Sequence, residues 1–111
     1  SEMCIRDRFD MSKMATGNAA LNMEELNLVM LLNQTIAEFD DRLEKSGRKL
    51  CVDIDSDSVL VRTDGSRIHR VFSNLLDNAV KYSLAGTRIF VTMKTYDDRV
   101  SVEIFRGKIS W

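Results

Sequence analysis

Proline is absent from all 111 residues, which argues against a long disordered tail or a proline-rich linker. Glycine is sparse: Gly17, Gly47, Gly65, Gly86 and Gly107 are the whole set, and no two are separated by a single residue. A Gly-x-Gly turn and a P-loop are thereby excluded. The two cysteines, Cys4 and Cys51, are far apart, and His69 is the sole histidine, so zinc would lack ligands. Cys51 is expected to be a small buried apolar side chain on a strand, and the chain to sit in a reducing, cytosolic setting. The longest apolar run, Leu28 to Leu32, is far short of the roughly 20 residues that span a bilayer. A formal net charge of -1 provides no general field to attract nucleic acid.

What is present is a globular mixture, 44% hydrophobic and 30% charged, enough for one modest core in one domain or part of one. Met3-Cys4-Ile5-Arg6-Asp7 reads as the translation of a transposase adapter used in sequencing libraries, and Arg8 fits its next codon. Residues 1–8 are therefore expected to be a cloning or assembly scar and are set aside from the fold. Phe9, Met11 and Met14 suggest the end of an amphipathic helix, with Gly17-Asn18 as its stop. A short extended piece, Glu24 to Asn27, precedes a helix from Leu28 to Ser46. Asn27 caps that helix, Val29, Leu32, Ile36, Phe39 and Leu43 form its apolar face, and Gly47 is its left-handed stop.

Leu50, Val52 and Ile54 alternate with polar neighbours, and Val59-Leu60-Val61 follows a Ser/Asp turn, which reads as a short pair of strands. Asp64 then caps a second long helix, Ser66 to Ser83, ended by Gly86. Ile89, Val91 and Met93 alternate on one strand and Val100, Val102 and Ile104 on another, with Asp97-Asp98 turning between them. Helix, hairpin, helix, hairpin suits an α+β two-layer sandwich, its helices on one face of a mixed or antiparallel sheet.

On a helical wheel the second long helix gathers Ile68, Val71, Phe72, Leu75, Leu76 and Ala79 on one side, the side expected to pack on the sheet. Arg67, Arg70, Asn74, Asn78 and Lys81 collect on the other side within roughly 80°. The bland reading of that stripe is a solvated helix face, which needs no ligand. Against it stand two asparagines four residues apart in a helix interior, where Asn is a mediocre helix former. An amide oxygen suits Mg²⁺, which takes one or two protein oxygens and completes its shell with water and phosphate. Lys81 presents an ammonium to a phosphate and Tyr82 a ring on which a base stacks.

The run Arg70-Val-Phe-Ser-Asn-Leu-Leu-Asp-Asn-Ala-Val-Lys-Tyr-Ser83 resembles the N-box of bacterial sensor histidine kinases, and the resemblance extends over about residues 9–104. It implies an incomplete Bergerat-type ATP-binding domain over residues 23–111, preceded in 9–22 by the end of a dimerisation and phosphoacceptor helical domain and its linker. In that frame Asn78 coordinates Mg²⁺, Lys81 contacts phosphate, Tyr82 stacks near adenine, Asn74 orients the phosphates and Arg70 assists electrostatically. Asn74 and Asn78 are thus the candidate catalytic residues, and ATP and Mg²⁺ the implied cofactors. Gyrase-like ATPases place a glutamate general base four residues before the metal asparagine. Asn74 stands there instead, and an amide has no useful basicity near neutral pH.

The implied activity is therefore autophosphorylation of a histidine with Mg-ATP, then transfer to an aspartate on a response regulator. The implied partners are the parent's own dimerisation domain, the regulator and a second copy in a homodimer. The resemblance also implies a cytoplasmic domain in a parent anchored in the bacterial inner membrane. His69 lacks the acidic neighbour of the usual acceptor motif and is read as an ordinary surface residue of the helix. The family's Asp-x-Gly-x-Gly adenine motif is missing from these residues, and 105–111 depart from the family pattern. Losing a charge-assisted adenine contact costs about 1.5–3 kcal/mol, or roughly tenfold to a hundredfold in affinity. Weak or absent ATP binding by this piece is expected, along with an open sheet edge where further strands belong. A competing reading is a non-catalytic nucleotide-binding or protein-interaction module of the same fold, similar to an anti-sigma regulator. A third is a small interaction domain without any nucleotide site, its asparagine stripe mere surface.

Overall fold

In a computed structural model, which describes residues 2–12, 22–82 and 86–109, nine elements follow one another. They are β1 (Glu2–Ser12), β2 (Glu24–Asn27), α1 (Leu28–Glu38), α2 (Asp40–Ser46), β3 (Lys49–Ile54), β4 (Leu60–Thr63), α3 (Gly65–Tyr82), β5 (Arg88–Thr95) and β6 (Arg99–Ile109). A four-stranded mixed sheet has the order β1-β6-β5-β3, and β2 and β4 form a separate two-stranded ribbon. β3 runs parallel to β5, whereas β1, β6 and β5 are successively antiparallel. The expected α+β two-layer arrangement is present.

The alternating strands build the floor of the core. Ile89, Val91 and Met93 of β5 and Val100, Val102 and Ile104 of β6 are buried, while Phe90, on the opposite face, is exposed. Onto that floor α1 and α3 lower Leu28, Leu32, Phe72 and Leu76, each essentially without solvent contact. Full burial of each such side chain stabilises by roughly 1.5–3 kcal/mol.

The caps read from sequence are in place. Asn27 Oδ1 accepts from Val29 N at 3.1 Å, and Gly47 adopts φ 71°, a left-handed conformation that disfavours a Cβ. Asp64 Oδ1 accepts from Ser66 N at 3.1 Å and Arg67 N at 3.4 Å. Tyr96 N donates to Arg99 O at 2.8 Å, closing the last hairpin across Asp97-Asp98.

Four expectations need correction. Phe9–Ser12 belong to β1 rather than to a helix. Phe9 and Met11 are two residues apart, and that spacing turns both inward: Met11 is buried, and the Phe9 ring meets Phe72 edge-on at 6.0 Å. The rest of that expected helix, residues 13–18, lies outside the described residues, as does Ser83. The long first helix is two helices, broken at Phe39, whose N–H bonds back to Ile36 O at 2.9 Å. Phe39 buries its ring under the Arg42 guanidinium, 4.9 Å away, and the acidic pair Asp40, Asp41 begins the next helix, where negative charge favours the N-terminus.

The third correction concerns β3 and β4, which do not pair with each other. Asn27 Oδ1 also accepts from Val59 N at 3.1 Å, and Leu28 N donates to Val59 O at 2.7 Å, drawing this segment to β2. Fourth, Cys51 is exposed, because it lies on the uncovered face of the outermost strand. The sheet ends at β3 on one side and on the other at β1, which covers β6, with residues 2–8, set aside in the sequence reading, paired to 103–109.

Candidate functional site

Helix α3 holds every candidate ligand-binding residue. Its register is fixed by the Asp64 cap and by Ile68, Phe72, Leu76 and Ala79, all buried on the side that meets α1 and β6. Val80 is buried as well, although the wheel had not placed it in the core, while Val71 and Leu75 are only half-buried. With that side anchored, Arg67, Arg70, Asn74, Asn78 and Lys81 emerge together as an exposed stripe. Tyr82 is 63% exposed and by helical geometry lies about 40° from Asn78, on the side away from Asp77. The structure thus brings Arg70, Asn74, Asn78, Lys81 and Tyr82 onto one outward surface.

Asp77, which the sequence reading did not single out, organises one border of this surface. Its Oδ1 accepts from Arg42 Nη2 at 2.8 Å, tying α2 to α3, and its Oδ2 lies 3.1 Å from Lys81 Nζ. The hydrogen bond from Arg42, followed by that from Lys81, holds the Asp77 carboxyl below the usual carboxylate range. The Lys81 contact was legible as an i, i+4 pair of opposite charge. The Arg42 contact joins residues 35 positions apart and has no local signature.

Among the described residues, no group of three or more His, Cys, Asp or Glu side chains is arranged to hold a metal ion. Asn78 is compatible with a different kind of site, in which one neutral protein oxygen binds Mg²⁺ and phosphate and water supply the remaining ligands. The neighbouring ammonium of Lys81 fits the same polyphosphate, so the donor set suits Mg-nucleotide better than a bare cation.

A pocket of about 540 Å³ lies elsewhere, between β2, α1 and the start of α3, with Glu24, Leu26, Met30, Glu38 and His69 among its walls. His69 is about 180° around α3 from Asn78 by helical geometry, so this cavity belongs to the opposite flank. There His69 Nε2 meets Glu38 Oε1 at 2.7 Å, a surface link between α1 and α3. Gly65 lets β2 pass close over the start of α3, since a Cβ there would collide with the Glu24 carboxylate and touch Leu26 Cδ2 at 3.0 Å.

Residues 63–106 match the family described as histidine kinase-, DNA gyrase B- and HSP90-like ATPase. The sensor histidine kinase MtrB of Mycobacterium leprae is 27% identical over 103 residues, covering 93% of this chain and 18% of that protein. The sensor protein KdpD of Clostridium acetobutylicum is 32% identical over 100 residues, 88% of this chain and 10% of KdpD. This chain therefore spans less than a fifth of either relative. A nucleotide-free catalytic domain of histidine kinase ThkA superposes with a TM-score of 0.69 at 27% identity, covering 74% of this chain and 57% of that domain.

Proposed function

Because residues 63–106 match the histidine kinase-, DNA gyrase B- and HSP90-like ATPase family, we propose that the chain supplies the phosphate-and-metal side of an ATP site in a two-component sensor histidine kinase. The observation that carries this reading is the exposed stripe of α3, which combines two amides, a lysine and a terminal aromatic. Asn78 supplies an oxygen to Mg²⁺, Lys81 neutralises phosphate charge, Asn74 orients the phosphates, Arg70 adds positive potential and Tyr82 offers its ring to adenine.

Bound Mg-ATP supplies the electrophilic γ-phosphorus and a leaving ADP. The chain's part in that chemistry is to position and neutralise, which is most of what phosphoryl transfer requires of a protein. Position 74 carries an amide rather than a carboxylate, so it cannot deprotonate water. The site therefore suits transfer to a nucleophile that needs no such base, a histidine of the parent's dimerisation domain, and onward to an aspartate of a response regulator. His69 is read as an ordinary surface residue rather than that acceptor, and its contact with Glu38 lies on the far flank of α3.

With no Gly-x-Gly turn in the 111 residues, adenine contacts are few, and the affinity of this piece alone for ATP is expected to be weak. The test is titration with a fluorescent ATP analogue in Mg²⁺ and in excess chelator, with the chain joined to its natural downstream sequence. Saturable binding that needs Mg²⁺ supports the reading. Binding indifferent to Mg²⁺, or none by a folded protein, contradicts it.

A further inference from the structure

Strand β3 ends the sheet order β1-β6-β5-β3, so one row of its backbone groups has no strand beside it among the described residues. Lys49 N donates to Thr87 O at 3.3 Å and Asp55 N to Met93 O at 3.2 Å, so the odd-numbered residues turn their amides to β5. Backbone direction alternates along a strand, so the N–H and C=O groups of Leu50, Val52 and Ile54 point away from the sheet. Several side chains of β3 are also uncovered. Val52 sits in register with buried Val91, on the face the helices cover elsewhere, yet is 44% exposed. Lys49, Cys51 and Asp53 share the other face and are all exposed.

We infer that the β3 edge is a self-association surface, on which a second copy of this chain pairs antiparallel about a two-fold axis through Cys51. In that register Leu50 faces Val52 of the second copy and its converse, so the outward backbone groups form hydrogen-bonded pairs and Val52 gains an apolar neighbour. Lys49 faces Asp53 of the second copy twice, a charge match built into the sequence of a single strand. Two neighbouring registers satisfy the same backbone groups: one centred on Leu50, which sets Lys49 opposite Cys51 and Asp53 opposite Gly47 with no charge match, and one centred on Val52. The second sets Lys49 opposite Asp55, whose Oδ2 is already committed to Thr95 N at 2.9 Å, and Cys51 opposite Asp53. The Cys51-centred pairing is therefore preferred, and it extends the mixed sheet continuously across both copies. This surface is separate from the α3 stripe and from the dimerisation expected through a parent's helical domain.

The pairing has a direct chemical readout. Cys51 faces its own copy at a non-hydrogen-bonded position, where Cα atoms lie about 4.5 Å apart, within the roughly 4.4–6.8 Å that a disulfide spans. In a Cys4→Ser chain, diamide oxidises two Cys51 thiols to one disulfide: each thiol gives up a proton and an electron, and diamide is reduced to its hydrazine. Non-reducing gels are expected to show rapid covalent dimer from the folded chain and slow dimer from the urea-denatured chain, with circular dichroism verifying the fold of each variant. Lys49→Glu places like charges opposite each other twice and is expected to slow cross-linking about tenfold. Adding Asp53→Lys to it restores the charge match and the rate. The inference is overturned if folded and denatured chains cross-link equally fast, if Lys49→Glu leaves the rate unchanged, or if the double reversal does not recover it. A non-covalent dimer in sedimentation that fails to cross-link would also overturn it.

Discussion

The ammonium of Lys81 lies 3.1 Å from the carboxylate of Asp77, one turn back on α3. Lys81 is thus held at the border of the asparagine stripe and must turn from Asp77 to reach a phosphate. Asp77→Asn removes that competitor, so in a protein that binds Mg-ATP the variant is expected to bind the nucleotide about twofold more tightly. Titration of the variant beside the parent sequence measures this, and weaker binding would show that Asp77 supports the site rather than competing with it.

The same carboxylate predicts an acid dependence. Its pKa is depressed in the folded chain, so its contribution to stability is fully present above the ordinary carboxylate range and is lost as pH falls through the lower folded value. Asp77→Asn is therefore expected to destabilise at neutral pH and to flatten the fall in stability below the ordinary carboxylate range. Urea midpoints measured across pH for both chains test the sign.

Asn27 serves two backbone donors at once, Val29 N and Val59 N, each at 3.1 Å. Removing the acceptor with Asn27→Ala is expected to cost about 1–3 kcal/mol, the cap and a second unpaired N–H together. Asn27→Asp keeps the acceptor and is expected to retain most of the stability. The difference between their denaturation midpoints isolates the hydrogen bonds from the side chain's size.

A Cβ at Gly65 would meet only the ends of two flexible side chains, the exposed Glu24 carboxylate and Leu26 Cδ2, and Gly65 has no left-handed φ. A swing of Glu24 relieves the contact and the added helix preference of alanine offsets what is left, so Gly65→Ala is expected to change stability by less than about 1 kcal/mol. Gly65→Ala/Glu24→Ala removes the contact and is expected to expose the gain in helix preference, a coupling that a double-mutant cycle in urea measures directly.

Local chemistry in the sequence located the helix boundaries at Asn27, Gly47 and Asp64, and missed the break at Phe39. Asn27, Gly47 and Asp64 act within one turn of their own positions, so their roles need no knowledge of the rest of the chain. The wheel of α3 likewise placed Arg70, Asn74, Asn78 and Lys81 on one exposed face, because a regular helix fixes relative direction. Tertiary partners were the harder part. Nothing in Leu50–Ile54 announces that it pairs in parallel with β5 while Leu60–Thr63 crosses to β2, since that choice is made by Asn27 reaching Val59 across 32 positions. Phe9 and Met11 fit either period over so short a span, and burial against Phe72 decides for the strand. Cys51 was misjudged because a strand's exposure depends on its place in the sheet, which residue type does not encode.

The account rests on Asn78 and Lys81 forming one Mg-nucleotide site, and the most direct measurement is Mg²⁺-dependent binding of a fluorescent ATP analogue to the chain joined to its natural downstream sequence. Asn78→Ala and Lys81→Ala are compared with His69→Ala, which alters the opposite flank of α3. The account predicts that each of the first two loses binding by about tenfold or more while the His69 variant binds as before. Equal binding by all of them in folded proteins would contradict it.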